Sequence, residues 1–477
     1  MTRRTKIVAT IGPTSSDPAA LEQLVQAGVD VVRLNLSHGE SADHRQRITD
    51  VRALADRLGR PIGVLADLPG PKVRSGPFPA EGAELVPGAV TRLVAGDGPS
   101  TADVISVEYP TLTTDVDPGD RVVIGDGAIS LRVTGVADAH LDAVVESGGR
   151  TQGRPGIHLS CERLQMFAPT ARDLELAKEF ADAGVDFLAL SFVRRPEDIA
   201  ALRAVVGTRC QIVAKIETAT ALTKLAGIVA AADAVMVARG DLGIDCPLED
   251  VPHLQKTIIR HCVEVGCPVI TATQMLESMV EAALPTRAEV SDVANAVFDG
   301  TDAVMLSAET AIGRDPAGVV TTMARIAERA ESEASYRQWA ERLGRLQRLH
   351  IDEHGDLITA AITHAAWQAA RDAKATAILC CTRTGRTAQA MARFRPAARL
   401  VGISPDPRTV GLLTLSWGVD AIRVEEYTTS AEMVWYAVET SLAHGFIDHG
   451  DVVLVLAGSP DSDSGAATDV LRIVRVA

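Results

Sequence analysis

The chain has 477 residues, 47% of them hydrophobic but only 3% aromatic, so its length suits two to four domains with cores of Val, Leu, Ile and Ala. A net charge of −15 argues against nucleic acid as a partner, and no apolar run reaches the length of a membrane span. Seven cysteines, an odd number without CxxC or CxxH spacing, read as reduced thiols, and the first residues lack a signal-peptide pattern, so a cytoplasmic protein is expected.

Along the chain, eight apolar, β-prone runs alternate with helical segments: Lys6–Ile11, Asp30–Leu36, Ile62–Asp67, Asp186–Val193, Gln211–Glu217, Asp233–Ala238, Pro268–Thr273 and Asp302–Ser307. Several runs start after a shared signal, as in Gln26-Ala-Gly-Val-Asp30, Asp182-Ala-Gly-Val-Asp186 and Asp299-Gly-Thr-Asp302. The Gly suits a left-handed helix stop, and the strand follows at once. Helix starts are marked by Ser16-Asp17-Pro18 and Asp315-Pro316, and helical periodicity by Leu254, Ile258, Ile259, Cys262 and Val263. Eight such units predict an α/β fold, a TIM (β/α)8 barrel with a parallel core.

One unit is interrupted. Between Asp67 and a helix near Ala171 the sequence changes to short alternating strands, with Gly125-Asp-Gly127 as a hairpin signal between Arg121–Ile124 and Ala128–Val133. This predicts an inserted all-β lid domain over 71–168, inside a barrel made of 1–70 plus 169–340. A C-terminal α/β domain is expected over 345–477, with strands at Ala377–Thr382, Leu400–Ser404, Ala421–Val424, Val452–Ala457 and Leu471–Val476. The segment Trp339–Gly355 is read as the joining helix and turn.

Polar residues gather at the C-terminal ends of the barrel runs, where the active sites of this fold lie. They include Arg33, Asn35, Ser37 and His38 after the second run, Asp67 after the third, and Ser191, Arg194 and Arg195 after the fourth. Lys215 and Glu217 follow on the fifth, Arg239, Gly240 and Asp241 on the sixth, Thr271, Thr273 and Gln274 on the seventh, and Ser307 and Glu309 on the eighth. The opposite ends carry mostly Gly, Ala and Asp. Lys215 and Glu217 are two apart and share a strand face, and Asp241 adds a second carboxylate one strand later. Two carboxylates from neighbouring strands suit a hard cation such as Mg²⁺, and a nearby lysine suits a phosphate or an oxyanion. The alternative is a Lys–Glu ion pair plugging a barrel mouth, but Asp241 repeats the arrangement. The residues alone reach as far as Mg²⁺-dependent chemistry on a small phosphorylated acid.

Several stretches, in order, resemble pyruvate kinases: Lys6-Ile-Val-Ala-Thr-Ile-Gly-Pro13, Arg33-Leu-Asn-Leu-Ser-His-Gly39, Ala214-Lys-Ile-Glu217, Met236-Val-Ala-Arg-Gly-Asp-Leu-Gly243 and Ala272-Thr-Gln-Met-Leu-Glu-Ser-Met279. Pro285-Thr-Arg-Ala-Glu289, Ser291-Asp-Val-Ala-Asn-Ala296, Phe394-Arg-Pro396 and Trp417-Gly418 extend the resemblance over essentially the whole chain. It implies the same barrel, inserted β domain and C-terminal α/β domain. It also implies glycolytic transfer of phosphoryl from phosphoenolpyruvate to ADP, giving pyruvate and ATP, in an allosteric homotetramer. By the same resemblance Glu217 and Asp241 would ligate Mg²⁺, Lys215 would stabilise the transferring phosphoryl group and the enolate, and Arg33 would bind phosphate. Gly240 and Asp241 would bind the substrate carboxylate, Thr273 would contact the substrate, and Asn35, His38 and Arg74 would contact the nucleotide, which brings a second Mg²⁺.

The chain departs from the family pattern at Leu306-Ser-Ala-Glu-Thr310, Asp67-Leu-Pro-Gly-Pro-Lys72 and Arg154-Pro-Gly-Ile-His-Leu-Ser160. The family's monovalent-cation pocket would correspond to Asn35, Ser37, Asp67 and the carbonyl of residue 68. Lys72 stands where K⁺-requiring members carry Glu, so its ammonium is expected to substitute for the ion and K⁺ not to be required. The turn Thr382-Arg383-Thr384-Gly385-Arg386-Thr387 is the expected effector site. The facing loop Gly458–Gly465 carries two aspartates, so the expected effector is a sugar monophosphate or AMP rather than a bisphosphate. Two other readings use the same ingredients: a Mg²⁺-dependent pyruvate-enolate aldolase or lyase, and a non-catalytic phosphometabolite sensor.

Overall fold

A computed structural model describes residues 3–477 apart from 126, 161–166, 335, 337–338, 342, 344–356, 428 and 459–467. The first three strands, β1 (Lys6–Thr10), β2 (Val31–Asn35) and β3 (Gly63–Asp67), match the first three apolar runs. The chain then leaves the barrel for the insert: β4 (Phe78–Leu85), β5 (Val90–Ala95), β6 (Val104–Val107), β7 (Arg121–Ile124), β8 (Ile129–Val136), β9 (Leu141–Ser147), β10 (Gly149–Gly153) and β11 (Ile157–Ser160). It returns for β12 (Phe187–Leu190), β13 (Gln211–Ile216), β14 (Ala234–Ala238), β15 (Val269–Ala272) and β16 (Ala303–Leu306). These last five close with β1–β3 into a parallel barrel of order β1-β16-β15-β14-β13-β12-β3-β2. The insert forms a six-stranded sheet, β11-β7-β8-β9-β5-β6, and a two-stranded one, β10-β4, around its own core of Leu93, Val122, Leu131 and Val145.

The barrel strands end sooner than the apolar runs do. Predicted strand Asp186–Val193 stops at Leu190 because Phe192 has φ 57°, a left-handed backbone that breaks the ladder. Helix starts follow the predicted signals: Asp17 accepts from the N–H groups of Ala19 and Ala20, and Asp315 from that of Gly318.

The four residues Asp30, Asp186, Asp233 and Asp302 form a collar at the N-terminal end of the barrel. Each stands just before an even-numbered barrel strand and accepts an N–H from the start of the preceding one: Ile7 at 2.9 Å, Val64 at 2.7 Å, Ile212 at 2.7 Å and Val269 at 3.0 Å. Each is also paired with arginine: Arg3 and Arg60, Arg52, Arg203, and Arg395. The repeated Gly-Val-Asp signal thus has a second use. Its Asp satisfies a backbone donor that the ladder leaves over.

The C-terminal domain plugs this same end. Its sheet has the order β19-β18-β17-β20-β21, from β17 (Ala377–Cys381), β18 (Arg399–Ser404), β19 (Val419–Arg423), β20 (Val452–Ala457) and an antiparallel β21 (Val470–Arg475). Leu412 and Leu415 pack into the barrel interior with Val8, Val31, Leu65 and Phe187. Lys6 Nζ donates to Val419 O at 2.8 Å. The predicted joining segment Trp339–Gly355 falls for the most part outside the described residues. Among the described residues, no helix is long and apolar enough to cross a membrane.

Candidate active site

The inward positions of the barrel strands form layers, apolar below and polar at the C-terminal rim. Val213 belongs to the interior cluster, and Lys215, two residues on, opens onto the rim. There its Nζ lies 2.6 Å from Ser191 Oγ, 2.9 Å from Glu217 Oε1 and 3.3 Å from Asp67 Oδ1. Arg33 meets the other oxygen of Asp67 through Nε at 2.8 Å and Nη2 at 2.7 Å, and its Nη1 donates to Thr10 Oγ1 at 3.0 Å. Five strands thus contribute to one charged floor, β1, β2, β3, the end of β12 and β13.

The two carboxylates of this floor differ. Burial would raise the pKa of Asp67, but Lys215 and Arg33 outweigh it and hold the carboxyl below its usual range. Burial pushes Glu217 up to about 7, because it shares only Lys215 and faces the charge of Asp241. Lys215 is raised despite its burial, since Asp67 and Glu217 both favour the ammonium. Glu217 Oε2 accepts the Phe192 N–H at 2.6 Å, while Oε1 is fully buried and receives no hydrogen bond of good geometry. A buried carboxylate oxygen met by only the Lys215 ammonium, beside a second carboxylate, fits a cation-binding position. The donor chemistry of Glu217 and Asp241 thus fits a hard divalent cation.

The far side of the mouth is a strained turn. Thr273 and Gln274 have φ 67° and 54°, rare for residues with side chains and most of all for a β-branched one. The turn directs Thr273 Oγ1 onto the Gly240 N–H at 2.8 Å. Arg239 holds it, donating to the carbonyls of Ala272 (3.2 Å), Thr273 (2.6 Å) and Gln274 (3.3 Å) while anchored to Asp292 at 2.7 Å. Sequence reading placed Arg239 at the mouth without this role. Its position before Gly240, at a strand end facing the next strand's loop, was the available signal. Glu309, another predicted rim residue, is fully buried and accepts from the N–H groups of Ser307 (2.6 Å) and Leu276 (3.1 Å), so it shapes loops and does not face the cleft. Thr271 likewise turns away to Thr301 at 3.0 Å.

A cleft of about 590 Å³ opens between this rim and the insert, lined by Lys72, His158, Gly240, Asp241, Thr273 and Ser307 among others. Its hinge passes close over the floor. Gly70 has φ 69°, and a Cβ there would lie 2.8 Å from Ser191 Cβ, so only glycine fits. His38 lies near three cations: burial first, then Lys72, Arg74 and Arg33, lower its pKa. Arg74 Nη1 donates to Arg154 O at 3.3 Å, on the insert side of the hinge.

In the predicted monovalent-cation pocket of Asn35, Ser37, Asp67 and the residue-68 carbonyl, three of the acceptors already have donors. Asn35 Oδ1 accepts the Ser37 N–H at 3.2 Å, Leu68 O accepts from Ser191 Oγ at 2.8 Å, and Asp67 is shared by Arg33 and Lys215. Lys72 is not brought to Asp67. It is exposed on the cleft wall, where its Cε would lie 3.0 Å from a Cβ on Gly156.

The predicted effector turn follows β17. Thr382 Oγ1 accepts the Gly385 N–H at 2.9 Å, and Thr387 Oγ1 meets Thr468 Oγ1 at 2.7 Å, so both hydroxyls are engaged within the domain. Arg383, Thr384 and Arg386 stand on its exposed edge. Ser459–Gly465 of the facing loop lies outside the described residues.

The family model described as "Pyruvate kinase, barrel domain" matches residues 2–320, and "Pyruvate kinase, alpha/beta domain" matches residues 360–474. Among curated relatives, a protein named pyruvate kinase from Methylorubrum extorquens is 40% identical over 99% of this chain and 98% of its own length. One of the same name from Sporosarcina psychrophila is 40% identical over 99% of this chain and 80% of its own. One from Mycobacterium intracellulare is 38% identical over 100% and 99%. With matched models over most of its length and relatives of about 40% identity aligned over 99% of it, the chain belongs to the pyruvate kinase family.

Proposed function

We propose that the chain is the phosphotransferase that moves phosphoryl from phosphoenolpyruvate to ADP, giving pyruvate and ATP in glycolysis. The observation that carries the reading is the Lys215 ammonium, held between Asp67, Glu217 and Ser191 on the floor of the cleft. In that position it faces a phosphoryl group from one side and an enolate oxygen from the other. Arg33 binds the phosphoryl oxygens with charge-assisted hydrogen bonds. The Gly240 N–H, now donated to Thr273 Oγ1, and the amide of Asp241 bind the substrate carboxylate. The Thr273 hydroxyl, fixed by its left-handed turn, would contact the substrate near the carbon of enolpyruvate that takes up a proton.

Glu217 and Asp241 would hold Mg²⁺, which when bound neutralises charge on the carboxylate, enolate and phosphoryl oxygens. Asn35, His38 and Arg74 bind the nucleotide, whose phosphates enter a region already positive from Arg33, Lys72 and Arg74. The β insert covers the cleft and excludes water. No nucleophile is required, since positioning and electrostatics do most of the work in such transfers.

Three finer points belong to the same proposal. K⁺ is not required: Asn35 Oδ1, Leu68 O and Asp67 have donors within the chain, and Lys72 supplies a tethered positive charge at the cleft wall. The turn Thr382–Thr387 takes a monophosphate effector such as a hexose phosphate, ribose phosphate or AMP, on the exposed guanidinium groups of Arg383 and Arg386. The protein works as a cytoplasmic homotetramer.

A coupled assay tests the reading. Pyruvate formation from phosphoenolpyruvate that needs both ADP and Mg²⁺ is expected. Mg²⁺-dependent pyruvate release from a 4-hydroxy-2-oxo acid, without phosphoenolpyruvate or a nucleotide, indicates an aldolase or lyase. No turnover, with retained binding of phosphorylated metabolites, indicates a sensor. Titrating each monophosphate and fructose 1,6-bisphosphate while following phosphoenolpyruvate saturation tests the effector. Potent activation by the bisphosphate alone overturns that part.

A further inference from the structure

The β insert meets the barrel beside its hinge, where the Ile157 N–H donates to Val73 O at 2.9 Å, and the polar contact there is made by one carboxylate. His158, on β11 of the insert, places Nε2 3.1 Å from Asp245 Oδ1 of the barrel. A carboxylate only accepts, so Nε2 carries the proton and donates. The other oxygen, Asp245 Oδ2, accepts the Ala219 N–H at 2.6 Å. Both side chains are only 16% exposed, so water competes weakly for the contact. Beside it the β7–β8 hairpin reaches the same helix: a Cβ on Gly127 would lie 3.6 Å from Ile244 Cγ1.

The chain positions of these partners matter. Asp245 ends the helix Arg239–Asp245, one turn beyond Asp241. Ala219 lies two residues beyond Glu217. One carboxylate therefore joins three elements: the insert, the helix that carries Asp241 and the loop that carries Glu217.

We propose that His158 and Asp245 form the clasp that holds the β insert shut over the barrel mouth, and that Asp245 also positions the two segments bearing Glu217 and Asp241. The proposal rests on the kinase reading only for its kinetic consequences. Burial works against the Asp245 charge, but the His158 bond and the Ala219 amide outweigh it and keep the carboxyl below its usual range. The clasp is thus a charged hydrogen bond on the barrel side. His158 is a positioning residue with no contact to the reacting atoms. Its loss leaves closure to be driven by substrate binding alone, which raises KM more than it lowers kcat. Loss of Asp245 also frees the Ala219 amide, so the metal-binding pair loosens and kcat falls.

The test uses the full-length protein with His158→Ala, His158→Asn, Asp245→Ala and the double variant His158→Ala/Asp245→Ala. Hydrogen exchange is followed first, without substrates. H158A is expected to speed exchange in β7, β8 and β11 and leave 217–224 unchanged, whereas D245A speeds both. Steady-state kinetics follow. H158A raises KM for phosphoenolpyruvate and ADP about tenfold, the low end for a charged hydrogen bond, with kcat within about threefold. The double variant costs no more in KM than D245A alone, and H158N, which keeps a shorter donor, recovers part of the loss. Unchanged insert exchange in H158A overturns the clasp, as does an unchanged KM in an active enzyme. If D245A does not fold, H158A and H158N still decide, because His158 stands in the insert's own sheet. A wild type without kinase activity that still shows the His158-dependent exchange overturns the functional reading and leaves the clasp standing.

Discussion

The two ends of the barrel carry the same residue types and treat them in opposite ways. At the N-terminal end, Asp30 is met by Arg3, Lys6, Arg60 and the Ile7 amide, and although burial opposes it, these partners draw its pKa down to about 2. At the C-terminal end, Glu217 is as deeply buried, shares one lysine and is pushed up to about 7. The aspartates that the sequence places at the N-terminal end form the collar, where four of them and their arginines lie buried or half-buried. What separates the ends is satisfaction. A carboxylate whose donors are complete contributes to stability, whereas one left short of donors has unspent affinity for a cation.

The largest expected effect breaks the C-terminal side of this comparison. Lys215→Met should lower kcat by about 10²–10³-fold, as the loss of an oxyanion donor does elsewhere, while phosphoenolpyruvate and Mg²⁺ still bind. Because Glu217 already titrates near neutrality, it takes up a proton when its lysine is removed, and the thermal midpoint should stay close to wild type. A collapse of stability with kcat preserved would assign Lys215 to the collar's kind of work.

The converse substitution sits at the other end. Asp30→Asn should destabilise the fold by about 3 kcal/mol, the low end for breaking a buried pair, since Arg60 retains partial access to water. Denaturant unfolding measures the loss. The kcat per folded molecule should not change, because Asp30 lies at the barrel end away from the cleft.

Acid sharpens the contrast. The folded pKa of Asp30 is below its ordinary value of 3.8, so its contribution is complete above about pH 4 and disappears as pH falls toward 2. The shift corresponds to roughly 2 kcal/mol. Stability measured from pH 5 to pH 2 in wild type should fall by about that much more than in Asp30→Asn. Parallel curves would mean that the collar does not hold Asp30 ionised.

The smallest effect concerns K⁺. With saturating substrates and Mg²⁺ in tetramethylammonium buffer at constant ionic strength, adding KCl should change the initial rate by less than about tenfold, or roughly 1.4 kcal/mol of barrier. Lys72→Glu should lose activity that K⁺ partly restores. A larger rise in wild type would show that the donors around Asn35, Leu68 and Asp67 yield to an ion.

Much of this architecture was legible in the residue order. The apolar runs are buried on both faces, so their composition alone marks them, and the Gly-Asp signals mark where each begins. The change to alternating strands between Asp67 and Ala171 exposed the insert for the same reason: a sheet with one wet face has a different period. Lys215 and Glu217 were readable as a pair because strand geometry puts i and i+2 on one face. The residue roles that went unread depend on partners distant in sequence. Arg239 acts on carbonyls more than thirty residues away, and His158 meets Asp245 across 87 residues. Which carboxylate is satisfied and which is not depends on the same long-range meetings. Asp30 and Glu217 look alike in the chain, and local sequence carries only local geometry. Their opposite titration was decided when the barrel closed, bringing three cations to one and leaving the other with a single lysine and a neighbouring negative charge.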